Sequence, residues 1–192
     1  MAQARTRSRR GGQAVKVVVT GPFAAGKTTL IRTISEITVL STERGVSDET
    51  RRRKSETTVA MDFGRITIDR DLILYLFGTP GQERFDFMWE ILGEGMIGYL
   101  LLIDATREDS VEEAASILEA FRSMARVPFV VALNRASGDD HVLIESVRSR
   151  LALPGDVAIL PCDVIDKESV KNVLLALLYA VLEEVEAEVV RV

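Results

Sequence analysis

Nine residues, Gly21-Pro22-Phe23-Ala24-Ala25-Gly26-Lys27-Thr28-Thr29, constrain this chain more than any other stretch. They follow Val15 to Thr20, a β-branched run with the pattern of a buried parallel strand, and they open a helical stretch from Gly26 to about Ile37. A G-x-x-x-x-G-K-[ST] loop between a strand and a helix is a cradle for phosphate. Gly21 and Gly26 permit backbone geometries that turn successive N–H groups inward. The helix start behind them adds free N–H groups and a positive dipole end. Lys27 places a point charge on the outer phosphates, and the Thr28 hydroxyl is a ligand for Mg²⁺. Phe23, Ala24, Ala25, Gly26, Lys27, Thr28 and Thr29 are therefore the first nucleotide-binding candidates.

The rest of the chain alternates strands with helices. From Leu40 to Thr57 it is polar and charged, with Arg51, Arg52, Arg53 and Lys54 in a row, which reads as a long functional connection. Strands are predicted at Val59 to Ile68 and Leu72 to Phe77, joined as a hairpin by the polar turn Asp69, Arg70 and Asp71. A loop from Gly78 to Glu83 opens a helix carrying Trp89. Further strands are predicted at Ile97–Ile103, Phe129–Leu133 and Val157–Leu160. Further helices are predicted at Ser110–Met124, capped by Ser110, at His141–Leu151, and from Ser169 to about Val189. The expected architecture is α/β: a mostly parallel six-stranded sheet with one antiparallel edge strand and helices on both faces. Residues 14–192 read as a single domain behind a disordered basic tail at 1–13.

Composition excludes several function classes. A formal net charge of −5 argues against nucleic-acid binding. A single cysteine, Cys162, rules out an internal disulfide and fits a reducing cytoplasm. His141 is the only histidine, so histidine triads and multi-histidine metal sites are excluded. The longest apolar run, Val173 to Leu182, is too short to span a bilayer. The Arg-rich start has no apolar core of a secretory leader, and neither end carries a lipidation motif. A cytoplasmic location follows, with any membrane recruitment through partners. The Arg-rich start is open to two readings, a weak anchor on an anionic surface or a solvated leader.

Beyond the phosphate loop, the chain resembles Ras-like small GTPases. Thr58-Val59-Ala60-Met61-Asp62-Phe63-Gly64 looks like the end of switch I, and Phe77-Gly78-Thr79-Pro80-Gly81-Gln82-Glu83-Arg84-Phe85 like the entry to switch II. Asn134 closes a strand where the guanine-reading motif begins, and Cys162-Asp163-Val164 stands where the last base-contacting loop falls. The wording of the switch II segment is closest to prokaryotic members, especially the conservon-type bacterial GTPases. The resemblance runs from Val15 to the last helix and implies a Ras-like G domain of the P-loop NTPase class. It implies that Thr58 joins Thr28 on Mg²⁺, Gly81 offers its N–H to the γ-phosphate, and Gln82 orients the attacking water. It also implies GTP and GDP as ligands, bacterial signal transduction, and activating and exchange factors. The switch surfaces around Thr58 and from Phe85 to Trp89 would engage a roadblock-type regulatory protein in the GTP state.

Four departures from that pattern bear on mechanism. Gly78 occupies the place of an Asp that supports Mg²⁺ through water, and either Thr79 or Asp62 is available to compensate. The guanine motif reads Asn134-Arg135-Ala136-Ser137, so Ser137 replaces a carboxylate that pairs with the guanine edge. Asp139 and Asp140 follow within reach of the base. Phe23 stands where relatives carry a glycine, crowding the γ-phosphate and pointing to slow hydrolysis. Arginines lie in both switch segments, Arg44 and Arg51 to Arg53 in one and Arg84 in the other, and Arg84, close behind Gln82, is the best candidate for a finger in cis.

Lys27, Gln82 and Arg84 are thus the catalytic candidates, and Asn134, Arg135, Ser137, Cys162, Asp163 and Val164 the base-side candidates. Asp104, after Leu100 to Ile103, resembles a Walker B carboxylate and keeps an ATPase or kinase alternative open. The resemblance favours a structural role for it, since an Asp at this place is common and structural in Ras-like proteins. A nucleotide-binding pseudo-GTPase without turnover is the remaining alternative.

Overall fold

A computed structural model describes residues 13–41, 61–81, 87–136 and 140–190. Seven strands form one sheet: β1 (Gln13–Thr20), β2 (Leu40–Ser41), β3 (Asp62–Asp69), β4 (Leu72–Gly78), β5 (Gly98–Asp104), β6 (Phe129–Asn134) and β7 (Ile159–Cys162). Their order is β2-β3-β4-β1-β5-β6-β7. The expected six strands are present, five of them mutually parallel, with β3 antiparallel to β4. The two-residue β2 adds to them, pairing antiparallel with β3 from within the stretch read as a polar connection.

Both faces of the sheet are covered, which is why its central strands are continuous apolar runs rather than alternating ones. Along β1, Val17 and Val19 join the core beneath α1 (Lys27–Ile34) and α5 (Lys167–Val190). Val18 points to the opposite core, with Trp89 of α2 (Phe87–Gly93), Phe121 of α3 (Ser110–Met124) and Val147 of α4 (His141–Arg150). The same alternation splits Leu100 and Leu102 of β5 from Tyr99, Leu101 and Ile103. Pro161, which has no N–H, sits in β7 at the edge of the sheet, where no outer neighbour needs one.

Three local expectations are revised. Helix α1 stops at Ile34 rather than Ile37, because Ser35 turns extended and its hydroxyl binds the backbone instead. That hydroxyl donates to the Ile37 carbonyl at 2.8 Å and accepts the Arg65 N–H at 3.2 Å, tying the helix end to β3. Asp109, not Ser110, stands at the N-cap of α3; Ser110 is buried and its hydroxyl accepts the Asp104 N–H at 3.1 Å. The last helix begins at Lys167, two residues before Ser169, and Asp166 accepts the N–H groups of Glu168 and Ser169 at its start. The Asp69–Asp71 hairpin forms as expected, with Asp69 opposite Leu72 and its carboxylate accepting the Arg70 N–H.

Candidate functional site

The site lies at the carboxyl ends of the parallel strands, where open α/β sheets bind ligands. As β1 ends, Gly21 takes a φ of 141°, and a Cβ there would lie 2.1 Å from the Leu102 carbonyl oxygen of β5. Only glycine fits that approach. Gly26, at the N-cap of α1, has a φ of 108°, and Ala24 between them also sits at positive φ, 61°. Lys27 is buried, and its ammonium donates to the Gly21 carbonyl at 2.7 Å and the Pro22 carbonyl at 2.6 Å, closing the loop on itself. The helix behind has no side-chain cap and no acidic residue in its first turn. Its amide end carries a positive dipole of the sign that attracts a phosphate.

Two flanking segments close on this loop. On one side the chain leaves β4 and passes through Thr79, Pro80 and Gly81. A Cβ at Gly81 would stand 2.6 Å from the Lys27 ammonium and 2.6 Å from the Phe23 nitrogen, so this segment lies directly against the cradle. On the other side Asn134, 1% exposed at the end of β6, donates its side-chain amide to the Ala25 carbonyl at 2.9 Å. A Cβ at Gly26 would meet that same amide at 2.7 Å and Val164 at 3.3 Å.

Arg135 follows Asn134 at a φ of 62°, and its half-exposed guanidinium pairs with the buried carboxylate of Asp104. Asp104 also accepts the Thr106 N–H at 3.0 Å and its hydroxyl at 2.7 Å. Burial works against the charge of Asp104, but the Thr106 bonds and the Arg135 charge outweigh it and hold the carboxyl below its ordinary range. Asp104 is thus tied to its own loop and to Arg135.

On the β7 side, burial pushes the Cys162 thiol up to about 11. Asp163 accepts the Ile165 N–H at 3.1 Å, and the Val164 carbonyl accepts the Thr33 hydroxyl of α1 at 2.6 Å. This loop is locked to the helix that follows the cradle.

The structure separates the two residues available to stand in for the carboxylate missing at Gly78. Thr79 is buried and donates its hydroxyl to Thr20 at 2.9 Å. Asp62, 8% exposed, instead accepts the Thr28 hydroxyl on its Oδ2 at 2.5 Å. Thr28 and Asp62 present hard oxygen donors side by side, a set that fits Mg²⁺. Among the described residues no group of three His, Cys, Asp or Glu gathers, so phosphate and water would complete any such shell.

Other contacts escaped the sequence. Arg107, between β5 and α3, donates to the Phe23 carbonyl at 2.8 Å while Asp109 and Glu113 hold its guanidinium. Nothing in the motif pattern points to that arginine. Trp89 is buried and donates its indole N–H to the Pro80 carbonyl at 3.2 Å, so it faces the core rather than a partner. Phe87 and Ile91 are the exposed apolar residues of that helix. Asp140 caps α4 by accepting the Leu143 N–H on its Oδ1. Phe23 is 55% exposed, and Ala24 and Thr29 are exposed beside it. Thr58, Gln82, Arg84, Ser137 and Asp139 lie outside the described residues, as do Arg44 and Arg51 to Arg53.

Similarity to known proteins converges on this fold. A family described as conserved hypothetical ATP binding proteins matches residues 40–183. The uncharacterized protein MJ1339 of Methanocaldococcus jannaschii is 34% identical over 130 residues, 66% of this chain and 73% of that protein. The GTP-binding protein ypt4 of Schizosaccharomyces pombe is 30% identical over 132 residues, 65% of this chain and 51% of its own length. The Ras-related protein RABA6b of Arabidopsis thaliana is 25% identical over 181 residues, 91% of this chain and 74% of its own.

Proposed function

This chain belongs to the family described as conserved hypothetical ATP binding proteins, and from that premise we propose that it is a small GTP-binding switch that hydrolyses GTP slowly. The observation that carries the reading is the convergence on one phosphate cradle of Gly81 from one side and Asn134 from the other. A cradle alone binds phosphate; a segment packed on it from β4 adds a γ-phosphate sensor, and an amide at the end of β6 adds a base-side support. The name of the yeast relative, a GTP-binding protein, favours guanine as the base.

In this reading residues 14–192 act as one G domain behind the basic tail at 1–13. Lys27 would neutralise the outer phosphates, and the amide end of α1 would hold their oxygens. Thr28 and Thr58 would ligate Mg²⁺, which when bound neutralises charge on the phosphates. Gly81 would sense the γ-phosphate through its N–H, Gln82 would orient water, and Arg84 would approach the transferring group in cis. Asn134, Arg135, Ser137 and the Cys162 to Val164 loop would border the base. Release of the γ-phosphate would free Gly81, and Trp89 would report it through Pro80. Conservon-type bacterial signalling, a roadblock-type partner, and activating and exchange factors complete the proposal.

Two observations favour an adenine reading: the matched family is described as ATP binding, and Ser137 stands where a guanine-pairing carboxylate is expected. Competitive displacement of a fluorescent GDP by GTP, GDP and ATP, with and without Mg²⁺ and with Trp89 fluorescence followed in parallel, decides between them. Guanine selectivity with a GTP-dependent Trp89 change supports the switch. Equal displacement by ATP, or a silent Trp89, refutes it. Single-turnover hydrolysis then separates a slow GTPase from a binding module, which would show none.

A further inference from the structure

We propose that Asp62 is the carboxylate of the magnesium site, carried on β3 in place of the residue opposite it on β4; the inference rests on the nucleotide-binding reading above. Asp62 and Gly78 are directly opposed in the antiparallel β3–β4 ladder. Opposed residues of such a pair project to the same face, so both positions serve the same point in space. A Cβ at Gly78 would lie 3.1 Å from the Asp62 Cβ and 3.3 Å from its Oδ2, and 2.9 Å from Ile31 Cδ1. The Asp62 side chain therefore fills the space a residue at 78 would use. Two carboxylates there would meet as like charges, and one would be driven to protonate. A glycine at 78 and an aspartate at 62 form one arrangement.

The direction of the Thr28 hydrogen bond assigns a role to that carboxylate. The Thr28 hydroxyl donates its proton to Asp62 Oδ2 at 2.5 Å. A hydroxyl has one proton and two lone pairs, so with the proton committed its lone pairs are left for a cation. The remaining carboxylate oxygen is an acceptor for a cation-bound water, the form in which Mg²⁺ is usually held at phosphates. Asp62 thus orients the ligand Thr28 and adds a negative charge beside it. Thr79, the other candidate, donates its hydroxyl to Thr20 and brings no negative charge to the site.

The test uses the full chain and mant-GDP, with dissociation followed across a MgCl₂ titration and in EDTA. Asp62→Asn keeps the shape and an acceptor for Thr28 but removes the charge. It is expected to raise the Mg²⁺ concentration for half-maximal slowing of dissociation by roughly 10–100-fold, the usual effect of losing a partner of a metal ligand. Dissociation in EDTA should change by less than about 2-fold, since the phosphate contacts are untouched. The swap Asp62→Gly with Gly78→Asp, checked for folding by circular dichroism, should bring the requirement back to within about 3-fold of the wild type. A wild-type Mg²⁺ requirement in Asp62→Asn, or a folded swap variant with no recovery, overturns the inference while leaving nucleotide binding intact. Wild-type protein that retains mant-GDP equally in Mg²⁺ and EDTA also overturns it. Failure to bind mant-GDP at all removes the underlying function and this inference with it.

Discussion

Gly26→Ala is the sharpest test of how the cradle is locked to the base side of the site. Two costs can be worked from the geometry. Gly26 has a φ of 108°, which for an alanine costs roughly 1–2 kcal/mol. The added Cβ would stand 2.7 Å from the Asn134 amide, inside contact distance, so that amide must leave the Ala25 carbonyl. A buried carbonyl stripped of its donor costs about 1–3 kcal/mol. Together the substitution should destabilise the nucleotide-free protein by about 2–5 kcal/mol. With a urea m-value on the order of 2 kcal/mol/M, the unfolding midpoint should fall by about 1–2.5 M. The two terms separate in a double-mutant cycle with Asn134→Ala. Alone, Asn134→Ala should cost about 1–3 kcal/mol by orphaning the same carbonyl. In the Gly26→Ala background it should cost less than about 0.5 kcal/mol, or recover some stability, because the amide has already been displaced. A cycle in which the two effects simply add would refute the argument that Gly26 and Asn134 are coupled through that bond.

Three further outcomes follow from the same contacts. Asp104→Asn should cost about 1–3 kcal/mol at pH 7, since the buried carboxylate loses charge-assisted bonds to Thr106 and Arg135. Because the folded carboxyl lies below its ordinary value, that stability is present above the unfolded value near ~3.9 and disappears as pH falls through the folded one. The gap in urea midpoint between the two proteins should therefore narrow as pH falls below the unfolded value, and a pH-independent gap would contradict the assignment. Cys162 is buried with its thiol pushed up to about 11, so Ellman's reagent at pH 8 should modify it only on unfolding. The sign for stability is the reverse of Asp104: the contribution is complete below the unfolded thiol value and lost as pH rises towards about 11. Rapid labelling of native protein would disprove the burial. Arg107→Ala should leave stability nearly unchanged, its ion pairs being solvated. It should nevertheless speed mant-GDP dissociation several-fold by freeing the Phe23 carbonyl; an unchanged rate would remove Arg107 as a brace of the cradle.

What the amino-acid order determines by itself is local. Gly21, Gly26, Lys27 and Thr28 lie within eight consecutive residues, and a strand before them with a helix after them is enough to define a phosphate cradle. The sheet was legible for the same reason, since its strands are apolar runs bounded by turns, and burial on both faces erases alternation in a way composition displays. What tertiary structure decided depends on residues far apart in the chain. Asp62 and Thr79 are equally plausible on paper; the β3–β4 register places Asp62 against Gly78, and the β1 neighbour claims Thr79. Ser110 has the composition of a cap, yet folding buries it beneath the end of β5, where its hydroxyl binds Asp104. Trp89 follows the switch-like segment as a surface residue would, but packing over Phe121 turns it inward and leaves Pro80 as its partner. Arg107 belongs to no motif and reaches the cradle only because β5 lies beside β1. Motif residues are held by backbone geometry that neighbours in sequence create. Their supporting partners are chosen by strand order and register, which no short stretch of sequence encodes.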